Sequence, residues 1–192
     1  MVIVRRISFG FVVTLLFASL VLAQKVVRSR TPDVPYIPTT ETAVKAMLEL
    51  ADVKRSDIVY DLGCGDGRIV IAAAKRYGAR GVGIDIDPVL VREAKGNARQ
   101  AGVEKLVEFR EQDLFQANFR EATVVTLFLL PAINKRLLSQ LEALKPGTRI
   151  VSNTFEIGEW KPVREIVVED DPNDDYYFGS HRLFLWIVPE RK

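Results

Sequence analysis

The chain has 192 residues, 48% of them hydrophobic, which is enough for one α/β domain with a full core. Its 27 basic and 25 acidic residues leave a net charge of +2 with no long basic run, which excludes a binder held to nucleic acid by a basic stripe. Cys64 is the single cysteine, so no intrachain disulfide is possible, and no metal is expected.

Arg5 and Arg6 precede an uncharged run from Ile7 to Gln24, at the lower length limit of a membrane-spanning helix. The run also fits a secretory signal, with Val21 and Ala23 as small-residue cleavage positions. Lys25, Arg28 and Arg30 balance the charges before it, so orientation stays open. Residues 1–24 are therefore read as an anchor or signal, 25–40 as a linker carrying Pro32, Pro35 and Pro38, and 41–192 as the folded domain.

Apolar residues at Val44, Met47, Leu48 and Ala51 predict a helix over 41–51. Strands follow at 58–62 and 81–86, separated by an alanine-rich helix over 68–77 that Gly78 ends. A helix over 88–100 begins with Pro88 behind an Asp87 cap. The third strand is expected at 107–111 and a continuous apolar strand at 123–130. A helix over 134–144, a strand at 148–155 and two more at 163–169 and 181–188 complete the pattern. The acids from Asp170 to Asp175 read as a solvated turn joining the last two strands, and His181 as structural. Alternation followed by two successive strands predicts a doubly wound, mostly parallel seven-stranded sheet with an antiparallel C-terminal hairpin.

The first strand runs into Asp61-Leu-Gly63-Cys-Gly65-Asp-Gly67. Alternate glycines let a chain turn tightly and let a cofactor lie on bare backbone. A P-loop needs Gly-Lys-Ser/Thr, but Arg68 and Ile69 follow Gly67. The dinucleotide fingerprint also fails, because its third glycine would fall on Arg68. Asp61 and Asp66 would repel a phosphate and attract an ammonium. A cofactor with a nucleoside, an amino-acid tail and no phosphate meets those terms, and S-adenosylmethionine is one. Asp85 would then accept from the ribose hydroxyls and Asp113 from the adenine amine, with Ile86 and Leu114 on the adenine faces and Asp61 near the ammonium.

These residues resemble class I, seven-stranded S-adenosylmethionine-dependent methyltransferases. Within that class, four segments resemble the small protein-lysine methyltransferases that include the ATP synthase c-subunit and adenine nucleotide translocase enzymes. They are Val34 to Thr39, Tyr60 to Val70, Thr126 to Pro131 and Leu144 to Ser152. The resemblance implies methyl transfer to an amine, a protein lysine above all, on a substrate that includes membrane proteins. Leu129-Leu130-Pro131 stands where amide and base methyltransferases carry an acceptor for NH2, and its apolar character suits a lysine stem. An acceptor site is expected between Tyr36, Pro38 and Thr39 and the loop holding Phe155 and Trp160, which as core residues are the alternative. Asn153 or Glu156 would orient or deprotonate the amine. Because S-adenosylmethionine is made in the cytoplasm, an uncleaved anchor over residues 7–24 with a cytoplasmic domain is preferred to export. The rivals are a small-molecule methyltransferase, a non-catalytic tethered cofactor binder and, third, a nicotinamide oxidoreductase.

Overall fold

The computed structural model describes residues 36–190. The apolar run at 7–24 and most of the proline-rich linker lie outside the described residues. Among those described, no helix is long and apolar enough to cross a membrane.

Helix α1 (Glu41–Leu50) starts at Thr40, whose hydroxyl accepts from the Ala43 amide. Strand β1 (Ile58–Leu62) leads through the glycine turn into α2 (Arg68–Tyr77), which ends on a left-handed Gly78. Strand β2 (Arg80–Asp85) precedes α3 (Pro88–Gln100), capped by Asp87 on the Val89 amide with Pro88 in the first turn. Strand β3 (Val107–Glu111), a short 3-10 turn over Leu114–Gln116, strand β4 (Val124–Leu127) and helix α4 (Pro131–Glu142) follow. Strands β5 (Arg149–Asn153), β6 (Arg164–Glu169) and β7 (Ser180–Ile187) close the chain.

The seven strands form one sheet in the order β3-β2-β1-β4-β5-β7-β6. The first five are parallel, and β7 inserts antiparallel between β5 and β6. Successive strand residues point to opposite faces, and both faces are covered. On one face Val59, Val124, Val151 and Leu183 pack with α1, α2 and α3 through Met47, Leu48, Val70 and Val91. On the other, Tyr60, Val125, Ile150 and Trp186 pack with α4 through Ile133, Leu137 and Leu141. This double burial is why the central strands β1 and β4 read as mostly apolar runs. At the amino-terminal end of the sheet, Arg149 pairs with Asp57 and donates to the Ala51 and Asp52 carbonyls.

Two of the departures from the expected element boundaries have local reasons. The apolar run 123–130 is paired only over Val124–Leu127, because Phe128 and Leu129 leave the ladder to line a cavity. Helix α4 begins at Pro131 rather than 134, since proline has no amide to lose at a first helical turn. The acidic turn also needs correction. Asp170 is buried, not solvated: it accepts from the Thr40 hydroxyl at 2.6 Å and the Phe178 amide at 2.9 Å and pairs with His181 at 3.0 Å.

Candidate cofactor and substrate site

Strand order reverses at β1, whose neighbours are β2 and β4. Connections leave the sheet in opposite directions there, opening a crevice at the carboxyl ends of the strands. A cavity of about 460 Å³ occupies that place, large enough for a cofactor-sized ligand.

Asp61, at the end of β1, is 3% exposed and accepts from the Thr126 hydroxyl at 2.8 Å. Burial pushes its carboxyl up to about 7; Thr126 opposes this, while the Asp85 and Asp66 carboxylates add to it. Gly63 has φ 82°, and a Cβ there would lie 2.8 Å from Leu129 Cδ2, so only glycine admits this approach of loop to wall. The Asp85 carboxylate is fixed by two backbone amides: Gly65 donates to Oδ2 at 2.8 Å and Asp87 to Oδ1 at 2.9 Å. Each oxygen has a second lone pair to offer. Asp113 accepts from the Phe115 amide at 3.0 Å, capping the 3-10 turn that brings Leu114 to the cavity.

Arg68 is the one basic residue lining the cavity among the described residues, and it is neutralised locally. Its guanidinium grips Asp66 through Nε and Nη2, the shortest contact 2.7 Å, and donates from Nη1 to the Thr39 carbonyl at 2.8 Å. That bond fastens residues 36–39 across the mouth. The Tyr36 ring covers Gly65 so closely that a Cβ there would collide with its Cε2. Burial and the Asp66 carboxylate raise the Tyr36 hydroxyl well above its ordinary value, against Arg68, so it remains a donor. Phe128, Leu129 and Ile133 make the far wall apolar.

The cavity thus gathers Asp61, Gly63, Asp85, Ile86, Asp113 and Leu114 with Tyr36, Pro38 and Thr39. Gly65 and Gly67 shape the loop beneath it; Gly67, at φ 81°, packs against the Phe109 ring. Asn153, Glu156, Phe155 and Trp160 fall outside this lining. Asn153 is buried, with Oδ1 3.0 Å from His181 Nδ1 and accepting from the Thr154 hydroxyl. Phe155 and Glu156 line a separate, open depression, and Trp160 packs on the core and accepts from Trp186 Nε1 through its carbonyl. Sequence reasoning did not single out Phe128 or the Arg68 clamp; the arginine directly after Gly67 was the available signal. Cys64 is buried, and burial with the Asp61 and Asp85 carboxylates pushes its thiol well up, which suits a packing role.

Carboxylates predominate among the charged groups, and among the described residues the one cation the lining offers a phosphate is the arginine that Asp66 already holds. The set fits an ammonium, vicinal hydroxyls and an exocyclic amine. A family model described as the ANTKMT methyltransferase domain matches residues 61–164. This chain belongs to that family. The methyltransferase is 45% identical over 166 residues to a protein-lysine N-methyltransferase of Saccharolobus islandicus, covering 85% of this chain and 99% of that one. It is 36% identical over 153 residues to the ATP synthase c-subunit lysine N-methyltransferase of Xenopus laevis, covering 79% of this chain and 62% of that protein. Among solved structures it resembles an RNA methyltransferase from Salinibacter ruber in complex with S-adenosyl-L-homocysteine. The two share 51% identity with a TM-score of 0.72, over 81% of this chain and 96% of that one.

Proposed function

We propose that this methyltransferase uses S-adenosylmethionine to methylate the side-chain amine of a protein lysine. The observation that carries the reading is the pairing of an acidic, phosphate-hostile cofactor cradle with an apolar wall at one cavity. Asp61 would face the ammonium of the methionine tail, Asp85 the ribose hydroxyls, and Asp113 the adenine amine between Ile86 and Leu114. Bound there, the cofactor supplies a methyl group on a sulfonium.

The residues around it bind, orient and exclude water. Tyr36, Pro38 and Thr39 cover the mouth, and Phe128, Leu129 and Ile133 desolvate an incoming stem. Desolvation favours the neutral amine, whose lone pair is the nucleophile. Alignment then contributes several kcal/mol of barrier lowering without a dedicated base. Asn153 and Glu156 stand outside the cavity lining, and this reading gives them no chemical step.

A base nitrogen of RNA is the rival raised by the likeness to the Salinibacter RNA methyltransferase. Phe128-Leu129-Leu130-Pro131 offers a base NH2 no side-chain acceptor. The test is tritiated methyl transfer by the full chain to a lysine-containing protein and to RNA, with the product site mapped by mass spectrometry. A gain of one or more methyl groups on lysine supports the proposal; label confined to RNA rejects it.

A further inference from the structure

We infer that the turn between β6 and β7, residues 171–178, together with the outer faces of Tyr36 and Ile37, docks a cationic polypeptide segment carrying the target lysine. The inference rests on the protein-lysine reading.

Five of the exposed large apolar side chains among the described residues, four of them aromatic, lie on these two segments. Tyr36 is 44% exposed, Ile37 48%, Tyr176 44%, Tyr177 59% and Phe178 50%. Solvated aromatics grouped beside a catalytic mouth mark an interaction surface rather than ordinary surface scatter. The group is continuous with the cavity: Arg68, which lines it, lies 5.4 Å from the Tyr176 ring centroid and also holds the Thr39 carbonyl. The turn is a built platform. Asp174 accepts from the Thr42 amide at 3.3 Å, and Asp170 beneath it accepts from the Phe178 amide.

Charge selects the occupant. From Glu169 to Gly179 the chain carries five acids and no base, in a protein whose net charge is +2. Asp170 is committed to His181 and Thr40, and Asp174 to α1. Glu169, Asp171 and Asp175 face solvent. The Asp66 carboxylate already offsets the nearby Arg68. A polyanion would be repelled here, whereas a segment bearing lysine or arginine meets complementary charge and aromatic faces that attract cations.

The test uses the full chain with S-adenosylmethionine and two fluorescein-labelled peptides of equal length, one lysine flanked by arginines and one flanked by glutamates. Anisotropy should show the arginine-flanked peptide bound about tenfold more tightly at low salt, the preference shrinking as salt rises. The Asp171→Asn/Asp175→Asn double variant and Tyr177→Ser should each weaken that peptide several-fold while calorimetry finds the S-adenosylmethionine affinity unchanged. Equal binding of the two peptides, or variants that bind like the wild type, overturns the docking surface. Methyl transfer is scored in the same samples. Lysine methylation without a flank preference removes the surface and keeps the lysine reading; preferential binding without any transfer does the reverse.

Discussion

Burial at the end of β1 holds the Asp61 carboxyl at about 7, between two other carboxylates. Its folded value lies above the unfolded one, so the folded state binds this proton more tightly. The stability it contributes is full below an unfolded value of about 3.9 and falls as pH rises toward 7. Asp61→Asn should therefore raise the melting temperature of the cofactor-free protein at pH 8 and change it little at pH 4. A cofactor ammonium would reverse the preference by favouring the carboxylate. Binding near pH 7 should then release a proton, so calorimetric heats should vary with buffer ionisation enthalpy and affinity should rise from pH 6 to 8. Heats independent of buffer would remove Asp61 from the ammonium. Asp85 separates differently, because its oxygens also hold the Gly65 and Asp87 amides. Asp85→Asn exchanges one acceptor oxygen for a donor. It should weaken S-adenosylmethionine by about 2–3 kcal/mol, roughly a hundredfold in Kd, as expected for lost hydrogen bonds to a charged group. An unchanged Kd would refute the ribose assignment.

At the scale of elements, the sheet edge and the first helix are joined by one buried polar chain. Thr40 caps α1 and donates to Asp170, Asp170 meets His181 Nε2, and His181 Nδ1 faces Asn153 at the end of β5. Burial raises the Asp170 carboxyl, but the Thr40 hydroxyl, the Phe178 amide and His181 outweigh it and leave it below its ordinary range. The stability it contributes is thus present above the unfolded value and lost as pH falls through the folded one. Asp170→Ala would strand a buried imidazole, a hydroxyl and an amide, and should cost about 3 kcal/mol in urea unfolding at pH 7. Against the wild type, the loss should shrink as pH drops below about 4. A variant as stable as the wild type at pH 7 would show that the chain of contacts carries no weight. Apart from the structural role of His181, none of this was legible in the sequence. Thr40, Asn153, Asp170 and His181 are far apart along the chain, and an acid flanked by Asp171, Asn173 and Asp174 reads as solvent-facing. Strand and helix types were legible because apolar periodicity is local. The end of β4 was not, because tertiary contact draws Phe128 and Leu129 off an otherwise uniform apolar run; the start of α4 did carry a local signal, Pro131.

Over the whole molecule, the order of elements, the glycine turn and the acids at the ends of β1 and β2 pointed to the same crevice that the sheet builds. Those signals are legible because a parallel sheet forces its ligand to the carboxyl ends of the strands. The acceptor side was less so: residues 153–160 follow β5, yet the chain after Asn153 turns through a left-handed Thr154, φ 69°, and runs to a separate depression. Both core layers close within the described residues, from Val44 to Val188. We propose that the run from Ile7 to Gln24 anchors the enzyme in a membrane with the catalytic domain on the cofactor's side. Its uncharged length is just sufficient, and Arg5 and Arg6 ahead of it are balanced by Lys25, Arg28 and Arg30 behind, so the cofactor's location decides the orientation. The full chain should stay in the membrane pellet through an alkaline carbonate wash, whereas a chain starting at Lys25 should remain in the supernatant. The two should melt within a few degrees of each other and bind S-adenosylmethionine equally. Protease added outside sealed cells should leave the catalytic domain intact. Release of the full chain by carbonate, or recovery of a mature protein starting near residue 24 outside the cell, would overturn the anchor and leave the methyltransferase domain to be supplied with cofactor by other means.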